Sequence, residues 1–67
     1  MLWFFTRHDS RLHYEIRRQT DSEDFEIVIT HPDGRQVVEQ YSDPKKLLNR
    51  SIELQNSLKD EGWQPLG

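Results

Sequence analysis

His8, Asp9 and Ser10 supply the residue types of a hydrolase triad in three consecutive positions. A working triad needs the imidazole to lie between the hydroxyl and the carboxylate, hydrogen-bonded to both. Neighbouring residues in a turn send their side chains in diverging directions, so this trio cannot form the relay. The imidazoles are His8, His13 and His31, and no pair of them has the spacing of a metal motif. His8 and His13 approach each other only if the first hairpin has the right register. The acidic stretch "DSED" at 21–24 lacks the glycine and spaced oxygen ligands of a calcium loop. With no cysteine, thiolate metal sites and disulfides are excluded, and nothing points to an oxidising compartment. No glycine-rich phosphate loop occurs. The expectation is a chain with no catalytic residues, no metal and no cofactor, and not an enzyme.

The elements that would position any site are short. Strand-like runs occupy about 2–8, 11–19, 25–31 and 35–41, and a helix occupies about 43–61. "RLHYEIRRQ" alternates, with Leu12, Tyr14 and Ile16 on one face and Arg11, His13, Glu15 and Arg17 on the other. "FEIVITH" puts Phe25, Ile27 and Ile29 inward and Glu26, Val28 and Thr30 outward. "TDSED" at 20–24 is polar loop between them. In "HPDGR", Pro32 presets φ and Gly34 suits the left-handed position of a three-residue hairpin loop. Ile29 then pairs with Val37, Ile27 with Glu39 and Phe25 with Tyr41, leaving Val38 outward. A two-residue loop would invert the fourth strand. The helix opens at Ser42 or Asp43 with Pro44 in its first turn, and Gly62 marks its stop. Short links predict one α+β domain over 1–67: a four-stranded antiparallel meander with one C-terminal helix across one face (ββββα).

The uncovered sheet face would carry Arg11, His13, Glu15 and Arg17, then Glu26, Val28 and Thr30, then Gln36, Val38 and Gln40. The first strand adds either Trp3, Phe5 and Arg7 or else Leu2, Phe4 and Thr6. Aromatic, imidazole and guanidinium groups on a sheet are the ingredients of a platform for single-stranded nucleic acid. Trp3, Phe5, Arg7, Arg11, His13 and Arg17 are the candidate contacts, although Glu15 and Glu26 interrupt the arginines. The order of four antiparallel strands followed by a helix resembles the repeat of the Whirly and Pur-alpha class of single-stranded nucleic-acid binders. That resemblance implies units assembled in pairs and a strand face that binds nucleic acid. It rests on element order over the whole chain and carries no sequence motif.

The helix is oddly charged. Lys45 and Lys46 sit in its first turn and Asp60 and Glu61 at its end, each opposed to the helix dipole by a few tenths of a kcal/mol. Leu47, Leu54 and Leu58 form one stripe, while Leu48 and Ile52 lie well round the cylinder. "LWFFTRH" at 2–8 has no Pro or Lys and would be a bare sheet edge. A homodimer with antiparallel helices would set Lys45 and Lys46 of one chain near Asp60 and Glu61 of the other and bury Leu48 and Ile52. The plainer alternative is that solvent screens exposed charges.

Net charge is −3, with sections of alternating sign: +2 over 1–18, −4 over 19–31, −2 over 32–43 and +1 beyond. General affinity for phosphate backbones needs a larger basic excess. The longest apolar run, "LWFF", is far below the roughly 20 residues of a membrane span. The sequence therefore predicts a cytoplasmic homodimeric interaction module with a protein partner and no membrane contact. Weak single-stranded nucleic-acid binding and a role as a subunit of a larger assembly are the alternatives.

Overall fold

Tyr14 is wholly enclosed, and the elements that enclose it define the architecture. In the computed structural model, which describes residues 1–19, 21 and 23–66, the strands are β1 (Leu2–Arg7), β2 (Ser10–Arg18), β3 (Phe25–Thr30) and β4 (Gln36–Tyr41). The helix α1 (Pro44–Asp60) follows, and then a short β5 (Gln64–Pro65). The sheet is antiparallel throughout in the order β4-β3-β2-β1-β5. The predicted α+β meander is present, with one strand more than expected. Of the expected polar loop 20–24, Thr20 and Ser22 lie outside the described residues.

The strict alternation of β2 and β3 fixes their phase. Leu12, Tyr14, Ile27 and Ile29 pack beneath Leu47, Leu54 and Leu58 of the helix, with Ile16 and Phe25 at the margin. The β3–β4 hairpin has the three-residue loop: Gly34 adopts φ +90°, its N–H donates to the His31 carbonyl, and Ile29 pairs with Val37. Asp43 caps the helix, its carboxylate accepting from the Lys45 N–H at 3.0 Å.

At the far end of α1, Gly62 takes φ +92° and its N–H donates to the Lys59 carbonyl, while Trp63 N–H donates to Leu58 at 2.9 Å. This paired bonding is a Schellman stop, and it drives Trp63 into the core beside Leu58. The chain then runs along β1, Pro65 opposite Phe5 and Gln64 opposite Thr6, and the Leu66 N–H donates to the Phe4 carbonyl. Two expectations about β1 are corrected here. Its edge is covered along Phe4–Thr6 by residues 64–66, so the longest uncovered strand edge among the described residues is β4. Its phase is the second of the two weighed: Phe5 is 2 % exposed and faces the helix, as do Trp3 and Arg7, while Leu2, Phe4 and Thr6 lie on the other face. Trp3 stacks on Tyr14 with ring centroids 4.8 Å apart.

Candidate interaction surfaces

The open sheet face differs from the expected platform. Trp3 and Phe5 pack in or against the core. Arg7 is engaged on the helix side, donating to the Glu61 carbonyl at 2.8 Å with its guanidinium 4.5 Å above the Trp63 ring. Arg17 is paired with Glu26 and lies 3.9 Å from Glu15. What remains of the candidate set on this face is His13, whose ring meets Phe4 at 5.3 Å, and Arg11, placed opposite Thr6. Val28 projects onto this face yet is 5 % exposed, because it lies between Glu15 and Val38 in the ladder. Leu2, Phe4, Val38 and Leu66 remain exposed around it.

The helix presents the other surface. Leu48 and Ile52 are 61 % and 52 % exposed, one turn apart. Beside Leu48 an apolar notch of about 290 Å³ opens between the helix and Met1, Trp3, Ile16 and Phe25. At about 100° per residue, Lys59 stacks nearly in line with Ile52, and Lys45 flanks the same face. Asp60 is rotated about 80° away from Ile52, and Glu61 lies further round, past the last helical residue. The charge pairs expected between two antiparallel helices therefore do not share a face with Leu48 and Ile52. Packing two such faces about Ile52 would instead oppose Lys45 with Lys59 of the second copy.

A second groove of about 470 Å³ lies on the other flank of the helix, among Ile29, Val37, Leu54, Leu58 and Trp63. Its polar rim includes Glu39 and Arg50, a pair sequence reasoning missed. Arg50 grips the carboxylate with both Nε and Nη2, at 2.7 and 2.9 Å, and the Tyr41 hydroxyl donates to the same Oε1 at 2.9 Å. The Arg50 hydrogen bonds hold the Glu39 carboxyl below its ordinary value, and Arg50 is itself raised by them. Burial, reinforced by Glu39, pushes the Tyr41 phenol up. The signal in the sequence was a Glu on the inward phase of the fourth strand, between Val37 and Tyr41 and paired with Ile27. Partnered in this way, the three groups form a brace between β4 and α1.

Among the described residues no group of three His, Asp or Glu side chains could hold a metal ion. No helix there is long and apolar enough to cross a membrane. Compared with protein-family models, curated proteins and solved structures, the chain has no match.

Proposed function

We propose that this chain is a small non-enzymatic interaction module that works as a homodimer and binds protein. The observation that carries the protein-binding reading is the exposed pair Leu48 and Ile52 beside the apolar notch, and the homodimer is supported by the uncovered edge of β4. A helix resting on its sheet through Leu47, Ser51, Leu54 and Leu58 has no internal use for two more large aliphatic side chains. Lys45 and Lys59 on the same flank favour a partner segment with an apolar anchor and acidic neighbours. The probe is a synthetic amphipathic helix with leucine anchors flanked by glutamates, titrated into labelled protein. Shifts confined to Leu48, Ile52 and the notch, lost with Ile52→Asp or with a lysine-flanked peptide, support the assignment. Equal response to both peptides overturns it. Sedimentation equilibrium at tens of micromolar tests the homodimer, and a monomer there overturns that part.

A second function, single-strand binding, is favoured by the Phe4–His13 ring pair on the open face with Arg11 close by. The strand-then-helix order, which resembles the Whirly and Pur-alpha repeat, supports it too. Its limit is charge, since Arg17 is held by Glu26 and Arg7 by the helix end.

A further inference from the structure

The geometry points to β4 as the surface that joins two copies of this chain, by edge-to-edge antiparallel pairing with the two-fold axis at Val38. This rests on the homodimer proposed above and names the surface that makes it. The His31 N–H donates to the Arg35 carbonyl at 2.9 Å, which makes these residues a hydrogen-bonded pair of the β3–β4 ladder. Such pairs alternate along antiparallel strands. Val37, Glu39 and Tyr41 therefore turn their backbone groups toward β3, and Gln36, Val38 and Gln40 turn theirs outward, where among the described residues the sheet has no further strand. Exposed edges are normally blunted by Pro, Lys or a covering segment. Residues 64–66 cover β1 along Phe4–Thr6, whereas β4 contains neither Pro nor Lys. Val38, half exposed at 50 %, sits at the middle of this row.

The sequence of β4 complements itself in one register. With the axis at Val38, Gln36 of one copy meets Gln40 of the other and Val38 meets its own counterpart. All of these are outward-facing residues, so each meeting places an N–H and a C=O against their complements. On the open face, amide lies beside amide around an apolar centre. On the helix face Val37 lies opposite Glu39, whose carboxylate Arg50 already holds, and Arg35 lies opposite Tyr41. No like charges are opposed. Shifting the axis to Glu39 sets two carboxylates against each other, and shifting it to Val37 leaves Gln40 facing the Gly34 turn. The two sheets become one continuous sheet with both helices on the same side.

The chain has no cysteine, so single cysteine variants report the contact directly. Facing residues of a hydrogen-bonded antiparallel pair have Cα atoms about 5.5 Å apart, within disulfide reach. Val38→Cys should oxidise to a covalent dimer, while Ile52→Cys, on the helix, should not. Val38→Lys places two ammonium groups on the axis and should raise the dimer dissociation constant by about tenfold or more, with an unchanged unfolding midpoint in dilute solution. Cross-linking through Ile52→Cys but not Val38→Cys overturns the β4 assignment and leaves the homodimer standing. A monomeric wild type overturns both. Loss of the dimer in Val38→Lys together with loss of protomer stability also overturns the assignment, and Val38→Thr, which keeps the β-branched shape and the backbone groups, should retain the dimer.

Discussion

The Arg50 guanidinium holds both oxygens of the Glu39 carboxylate, joining the helix to the sheet's open edge strand. Both side chains keep about a quarter of their surface in solvent. The pair is therefore partly screened, and Arg50→Met should destabilise the protein by about 1–2 kcal/mol. Because the folded-state pKa of Glu39 lies below its ordinary 4.5, this contribution is full above that value and is lost as pH falls through the lowered one. Urea midpoints measured from about pH 6 down to about pH 3 should fall less steeply in Glu39→Gln than in wild type. Parallel slopes would show that the brace adds nothing in that window.

Tyr14 offers a second test. Its hydroxyl lies 3.2 Å from Ser51 Oγ and accepts from Gln55 Nε2 at 2.8 Å, under the helix. Tyr14→Phe keeps the ring stack and strands the buried Ser51 hydroxyl, so it should cost about 1–3 kcal/mol. Tyr14→Phe combined with Ser51→Ala should recover part of that loss. A double-mutant cycle by chemical denaturation measures the coupling, and additive effects would count against the contact.

Arg7 is predicted to act as a clamp at the helix end. Arg7→Ala removes the donor to the Glu61 carbonyl and the cation above Trp63, and about 1 kcal/mol should be lost. Amide exchange should speed up first at Trp63 and Leu66, whose N–H groups anchor the tail. Uniform acceleration across the sheet would mean that the tail is not a separate unit.

Lys45→Glu with Lys46→Glu places negative charge in a first turn that now has none. It should raise the melting temperature by a few degrees, through a few tenths of a kcal/mol per residue. Self-association should be unchanged, since neither lysine lies on β4. A stronger dimer would favour helix-to-helix association instead, since packing about Ile52 sets Lys45 against Lys59 of the second copy.

Binding of a labelled single-stranded oligonucleotide should be weak and disappear with added salt, because few cations are free to displace counterions. Arg11→Ala should abolish what remains, as Arg11 lies beside the Phe4–His13 pair. Tight binding that survives salt would show that the open face holds single strands by stacking and hydrogen bonding more than by charge.

Much of this fold was legible because period and turn chemistry agreed. Alternation in β2 and β3 named Leu12, Tyr14, Ile27 and Ile29 as core, and Pro32-Asp33-Gly34 set the pairing of Ile29 with Val37. The phase of β1 was not legible, because four consecutive apolar residues in "LWFF" carry no alternation to read. What decides it is long-range: the face shared by Phe5 and Arg7 must be the helix side for the ring to enter the core and the guanidinium to reach Trp63. β5 was missed because two residues hold no period at all. The signal was Trp63 directly after Gly62, since a hydrophobic residue one past the glycine of a Schellman stop is drawn back onto the helix. The misplaced helix charges were read as halves of an intermolecular pair, yet rotation about the helix axis puts Asp60 off the face of Ile52.

The pairing of residues 64–66 with β1 also sets an order of events during synthesis. Strands β1 to β4 can form their hairpins from local contacts as they emerge, but the outer edge of β1 stays open until the tail has been made and threaded alongside it. Closing that contact spans nearly the whole chain, the slowest kind of contact to form. A nascent or truncated chain that stops at the helix therefore exposes "LWFF" as a free edge, and polysome crowding would turn it into a site of misassembly between neighbouring copies.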